Sequence, residues 1–315
     1  MTKRFSFFAI ITALIAIVAS NRILAGPVYI AVGDSSAFGE TDRTRNPSNG
    51  NRGYVSIFAN HLGQKYYGGT TPRVANFAID GETSKSFFSG KVSDRASNDG
   101  VFHNTNYASY APNYPSQNAM LLSRVSSELA QGNTIAAVTV QLGANDLFKV
   151  GEADGFLSKS PSEQRATVAE AIGQYQQLYT QVLCEIRAIL PNTALYVLGY
   201  TNPYAATPEH PFYAIADEAV QAVNMVSEGL ANYFDAHYVD VYSAFLGHEA
   251  DWTLITSGDY NVHPNDEGYR VIGEQLILAS VPEPPSVVLL GVGIVLAMGV
   301  IQLRRFRQHR VACHA

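Results

Sequence analysis

Five short runs of β-branched and apolar residues, alternating with segments of helical period, constrain this chain more than any other feature of its sequence. They are Val28–Val32, Arg73–Ala78, Ile135–Leu142, Ala194–Leu198 and Tyr238–Val241. A strand that is apolar along most of its length needs cover on both faces, and a helix between two strands returns the chain to the same end of the sheet. The pattern predicts a doubly wound α/β fold with a five-stranded parallel sheet and helices over Tyr54–Leu62, Asn118–Ala130, Tyr213–Tyr233 and Asp266–Leu278. The strongest helix signal lies between the third and fourth strands. Ser160, Pro161 and Glu163 form a capping-box pattern with proline at the first helical position. Val168, Ile172, Tyr175, Tyr179, Val182, Ile186 and Ile189 then recur at helical spacing until Pro191-Asn192. The polar and aromatic stretch Ser84–Ser116 lacks periodicity and is expected to be loop. In such a sheet, sites form beyond the carboxyl ends of the strands.

Both termini read as addresses rather than fold. Lys3 and Arg4 precede an apolar run, Phe5 to Ala19, and small residues follow at Ala19-Ser20 and Ala25-Gly26. This is the layout of a secretory signal peptide, handled by the Sec translocon and signal peptidase; cleavage after Ala25 is favoured over Ser20 because Pro27 opens the first strand. An uncleaved anchor is the alternative, but the run is shorter than the roughly 20 residues a bilayer needs. Near the C-terminus Pro282-Glu283-Pro284 precedes an uncharged apolar stretch, Ser286 to Leu303, and then Arg304, Arg305, Arg307 and Arg310. A helix of about 18 residues nearly crosses a bilayer, and the arginines would hold that end in the cytoplasm. This segment, 281–310, resembles the PEP-CTERM sorting signal of Gram-negative bacteria, which implies recognition and removal by an exosortase and a final place in the cell envelope, cell surface or extracellular matrix. A permanent single-span anchor is the other reading.

Residues 26–280 remain, enough for one α/β domain with a full core. The formal net charge is −6 and no basic stripe lies outside the two ends, so nucleic acid is not an expected partner. Cys184 is the only cysteine of this region, because Cys313 lies beyond it. Neither a disulfide framework nor a cysteine-based metal site is expected, and Cys184 reads as a small core residue on the apolar face of a helix.

Four short motifs fall after strands or before the last helix. Gly33-Asp34-Ser35-Ser36 follows the first strand; a serine hydroxyl is a poor nucleophile until a base takes its proton, so Ser35 needs an imidazole in reach. Asn76-Phe77-Ala78-Ile79-Asp80-Gly81 follows the second, where a glycine N–H can approach a substrate oxygen without hindrance. Gly143-Ala144-Asn145-Asp146 follows the third; the Asn145 amide can donate to a developing oxyanion or serve a turn or helix cap. Asp259-Tyr260-Asn261-Val262-His263-Pro264-Asn265 leads into the last helix and offers a base, His263, with a carboxylate nearby. His61, His103, His210, His237 and His248 lack such a context and read as surface or packing residues.

Taken in order, Gly-Asp-Ser near the start, the glycine block, Gly-x-Asn-Asp in the middle and His-Pro-Asn near the end resemble the GDSL/SGNH esterases and lipases across residues 26–280. The resemblance implies a flavodoxin-like three-layer α/β/α sandwich, no cofactor or metal, an ester substrate (a small acyl ester, an acylated sugar or a lipid), Ser35 as nucleophile and His263 as base. It also implies an oxyanion hole from the backbone N–H groups of Ser35 and Gly81 and the Asn145 amide. One position departs from the pattern: the family places its triad aspartate three residues before the histidine, where this chain has Tyr260. Asp259 can take the role only if the loop bulges, and a Ser-His dyad is the alternative. The Gly-x-Ser-x-Gly elbow is absent, since Ala37 holds the last position, which argues against the ordinary α/β-hydrolase fold. The competing reading is a non-catalytic polysaccharide-binding protein, with Tyr107, Tyr110 and Tyr114 stacking on sugars.

Overall fold

The computed structural model describes residues 26–41, 53–96, 115–258 and 260–280. Both address segments and most of the aromatic stretch, Tyr107, Tyr110 and Tyr114 included, lie outside the described residues. So does Asp259.

The sheet consists of β1 (Pro27–Gly33), β2 (Arg73–Asn76), β3 (Thr134–Gln141), β4 (Leu195–Leu198) and β5 (His237–Val239), all parallel, in the order β2-β1-β3-β4-β5. This is the expected doubly wound arrangement. β1 lies inside the sheet with partners on both sides, and the chain changes direction of travel at the β1/β3 boundary, where a crevice opens.

Alternate side chains of each strand serve two cores, as the pleat requires. Val28, Ile30 and Val32 of β1 pack with Val138 and Val140 of β3 under α3 (Ser84–Ser89), α4 (Gln117–Ala130), α6 (Pro161–Ile189) and α7 (Tyr213–Tyr233). Tyr29 and Ala31 pack on the opposite face with α2 (Tyr54–Tyr66), α8 (Val241–Phe245) and α10 (Asp266–Ser280). The capping box of α6 is present, with Ser160 N–H donating to Glu163 Oε2 at 2.9 Å and Pro161 as the first helical residue. Tyr175, Tyr179, Val182 and Ile186 form its buried stripe and Cys184 is buried beside them, whereas Val168, Ile172 and Ile189 are only part-buried.

Three differences from the sequence reading bear on the site. The stretch expected to be loop from Ser84 carries α3, capped by Thr83 and stopped by Gly90 in the left-handed region, followed by a 3-10 turn at Val92–Asp94. Its brevity and its serines hide it from a periodicity test. The Gly-x-Asn-Asp motif is not a turn; Asn145 and Asp146 lie on α5 (Ala144–Gly151). The expected fifth strand stops at Val239, because Asp240 caps α8 by accepting from the Ser243 N–H. Among the described residues no helix is long and apolar enough to cross a membrane.

Candidate active site

Ser35 is the first residue of a four-residue helix, α1 (Ser35–Phe38), directly beyond β1. Gly33 makes that sharp exit possible: its φ is +150°, and a Cβ there would stand 2.4 Å from the Gln141 carbonyl oxygen. No other residue type lets β1 run so close to β3 at this level. The turn is then locked by a side chain the sequence reading missed. Gln117, fully buried at the start of α4, accepts from the Gly33 N–H at 2.6 Å and donates to the Gly33 carbonyl at 2.9 Å. Asp34 caps α1 by accepting from the Ser36 N–H at 3.0 Å, and its other oxygen accepts from the Tyr200 hydroxyl at 2.5 Å. Burial pushes the Asp34 carboxyl up to about 7 in spite of these two bonds. Ser35 itself is nearly buried.

Asn145 lies in the first turn of α5, with one amide hydrogen directed to the Glu82 carbonyl at 3.1 Å. That carbonyl belongs to the residue after Gly81, so the Gly81 turn (φ +71°) and Asn145 are joined as one unit at the ends of β2 and β3. The unit is braced from below. Asp146 accepts from the Ser84 N–H at 2.9 Å and from the Ser84 hydroxyl at 2.5 Å, and Arg95 bonds Glu82 at 2.8 Å with both side chains fully buried. Burial raises Asp146 to about 6, and Glu82 to about 7 even beside Arg95.

His263 lies in the irregular segment before α10. Its carbonyl accepts from the Leu254 N–H at 2.9 Å, Pro264 bridges to Thr253, and Asn265 turns the chain into the helix by accepting from the Gly268 N–H at 3.0 Å. Gly268 permits this contact, because a Cβ there would lie 2.1 Å from the Trp252 carbonyl. Around the ring, Nδ1 stands 2.7 Å from Asn261 Oδ1, and Nε2 stands 3.8 Å from Glu40 Oε2. Glu40, Asp80 and His263 present polar atoms within 4.8 Å of one another. Two buried carboxyl groups thus stand beside the ring. Tyr260, at the position where the family carries its aspartate, has a left-handed backbone (φ 52°), is largely exposed and packs its ring 4.8 Å from that of His210.

Ser35, Asn145 and His263, expected to act together from three distant motifs, line one cavity. Gly81 does not line it but adjoins it through Glu82. The cavity spans about 1050 Å³ counted with its open mouth, and beyond the polar end its walls are apolar: Phe148, Phe156, Tyr204, Phe212, Ala216 and Ala219. The other described histidines stand apart. His61 stacks on Phe58, His210 on Tyr204, His237 on Tyr196 and His248 on Trp252.

With this geometry in view, residues 31–271 match the profile of the GDSL-like Lipase/Acylhydrolase family. The chain belongs to that family. Membership makes it an ester-bond hydrolase. Solved structures similar to this family member include a lipase from a goat rumen metagenome (18% identity, TM-score 0.55, 81% of this chain and 98% of that one). An extracellular lipase from Streptomyces rimosus is similar at 20% identity and TM-score 0.51, covering 81% of this chain and 100% of that one. A mutant acetyl-xylooligosaccharide esterase from a Geobacillus follows at 14% identity and TM-score 0.50, covering 83% and 97%. At these identities the likeness is one of fold. No curated protein sequence matches the chain.

Proposed function

We propose that the protein is an exported serine esterase acting on esters of apolar acyl groups. The observation that carries the reading is that Ser35, Asn145 and His263 line one cavity whose further walls are apolar. Ser35 Oγ attacks the ester carbonyl while His263 Nε2 accepts its proton. The carbonyl oxygen becomes an anion facing the Ser35 N–H and the Asn145 amide, with the Gly81 N–H in the adjoining turn as the third donor of this reading. The proton passes from His263 to the departing alcohol, and a water activated by the same nitrogen then releases the acid. Loss of one such oxyanion donor, as in Asn145→Ala, is expected to lower kcat about 10²- to 10³-fold.

A short acyl group such as acetate needs little room, and a sugar would call for polar walls. Phe148, Phe156 and Phe212 around Ala216 and Ala219 instead suit a hydrocarbon chain, each buried methylene contributing about 0.8 kcal/mol. This favours a lipase or lysophospholipase type of substrate over a carbohydrate deacetylase type. The test is hydrolysis of aryl esters of rising acyl length, with fluorophosphonate labelling alongside. Octanoate should outrun acetate at least tenfold in kcat/KM, and Ala219→Trp should remove that preference while sparing acetate turnover. An unchanged profile in the variant would show that the chain binds elsewhere.

Residues 26–280 form the catalytic domain in this reading, between a removed leader and a 281–310 sorting tail cut by an exosortase-type enzyme in a Gram-negative envelope. Mass spectrometry of the cell-associated protein should find neither Arg304 nor Arg305; an intact basic end would overturn tail removal. For the Nδ1 side of His263 two residues compete, Asp259 as the family's carboxylate displaced by one position, and Asn261.

A further inference from the structure

We infer that Asn261, a neutral amide, is the positioning residue that sets the tautomer and orientation of His263, in place of a triad carboxylate. The inference rests on the serine-esterase reading above and refines it.

The chemistry follows from three contacts. Asn261 Oδ1 lies 3.1 Å from the His263 backbone nitrogen, which can only donate, so the oxygen end of the amide and not its NH₂ faces the histidine. The same oxygen lies 2.7 Å from Nδ1 and has no hydrogen to give, so Nδ1 carries the proton. In the neutral ring Nε2 is then left with a lone pair, the form a general base requires. The amide is itself held: Asn261 is buried, and its nitrogen donates toward the Thr41 carbonyl at 3.4 Å.

The backbone explains why position 261 does this and not position 260. The left-handed turn at Tyr260 sends that side chain outward onto His210, and the next residue turns inward. A tyrosine in this conformation is uncommon and strained, and the two bonds to Oδ1 help to hold it. The carboxyl groups near the ring come from other elements, Glu40 beyond α1 and Asp80 beyond β2. The orientation of the ring, which an aspartate supplies in an ordinary triad, is here set by an amide, with two carboxyl groups on the opposite side of the ring.

The test compares Asn261→Leu, Asn261→Asp and Asp259→Ala in the purified protein, reading kcat and KM for an aryl ester between pH 5 and 9, fluorophosphonate labelling and the thermal midpoint. Asn261→Leu should lower kcat about 10²- to 10⁴-fold with little change in KM and slow labelling in parallel. Asn261→Asp keeps both acceptor contacts and adds charge, so it should restore most of the activity. It should also move the acidic limb of kcat/KM upward by about one pH unit, since a carboxylate favours the imidazolium. A merely structural asparagine would lower the midpoint and leave that limb in place. Asp259→Ala should stay within about threefold of the parent. The inference is overturned by full activity in Asn261→Leu, by an unmoved limb in Asn261→Asp, or by a loss of 10² or more in Asp259→Ala. If Asn261→Leu fails to fold, the limb of Asn261→Asp decides. Persistence of labelling and turnover in Ser35→Ala would instead sink the serine-esterase reading itself.

Discussion

The proposed nucleophile and the proposed base of this esterase are held by different kinds of structure. Ser35 leaves an internal strand and inherits its place from the sheet: Gly33 is pressed against Gln141, clamped by Gln117, and followed by Asp34, which is tied to Tyr200. His263 belongs to an irregular segment, placed by one isolated bridge and by the side chains of Asn261 and Asn265 bonding to nearby backbone. The position of Ser35 is thus a property of the core, whereas that of His263 is a property of a few local polar contacts. Changes around Ser35 should cost stability and rate together, and changes around His263 should cost rate with little stability.

Removing the hydroxyl itself tests the chemistry without touching either support. Ser35→Ala should lower kcat by about 10⁴-fold or more and abolish fluorophosphonate labelling, with the thermal midpoint unchanged. Gln117→Leu should be the most disruptive change on the nucleophile side. It strips two buried bonds from Gly33 and should destabilise the fold by about 2–3 kcal/mol in denaturant titration, with a fall in kcat. A stable but inactive variant would mean that the clamp orients Ser35 without carrying the core.

The nucleophile side should also make stability fall as pH rises. Asp34 and Glu82 near 7 and Asp146 near 6 all lie above their ordinary values, so the folded protein holds protons that the unfolded chain releases. Their contribution is complete below about pH 4 and is lost progressively up to about pH 7, at about 1.4 kcal/mol per pH unit for each group while its pH window lasts. Asp34→Asn, which keeps an acceptor for Ser36, should flatten the decline of stability between pH 5 and 7 by about that amount. An unchanged slope would place the titration elsewhere. On the base side, Asn265→Ala removes the cap of α10 and should cost only about 1 kcal/mol, yet slow turnover by displacing His263. A loss of stability as large as that of Gln117→Leu would break the contrast between the two sides.

Much of this was legible in the amino-acid order. Strand runs such as Val28–Val32 gave the parallel sheet because a strand covered on both faces must be apolar throughout, and the capping box at Ser160 gave the start of α6. Ser35, Asn145 and His263 were legible because their motifs sit at the edges of such elements, and the structure brings all three to one cavity. Helix α3 was not legible, since six residues rich in serine carry no period, and α5 was hidden inside its own motif. Gln117 gave no signal either: a glutamine at a helix start looks like surface until the helix is docked and its amide meets Gly33, a residue 84 positions away.

The sequence by itself determined the sheet, the order of its elements and which strand-end residues line one cavity, because hydrophobic period and strand-end chemistry are local properties. Only the tertiary structure decided which polar side chains face one another. The clamp on Gly33, the Ser84–Asp146 brace and the amide behind His263 depend on distances between segments far apart in the chain or on a left-handed turn, and local residue preferences carry no record of either.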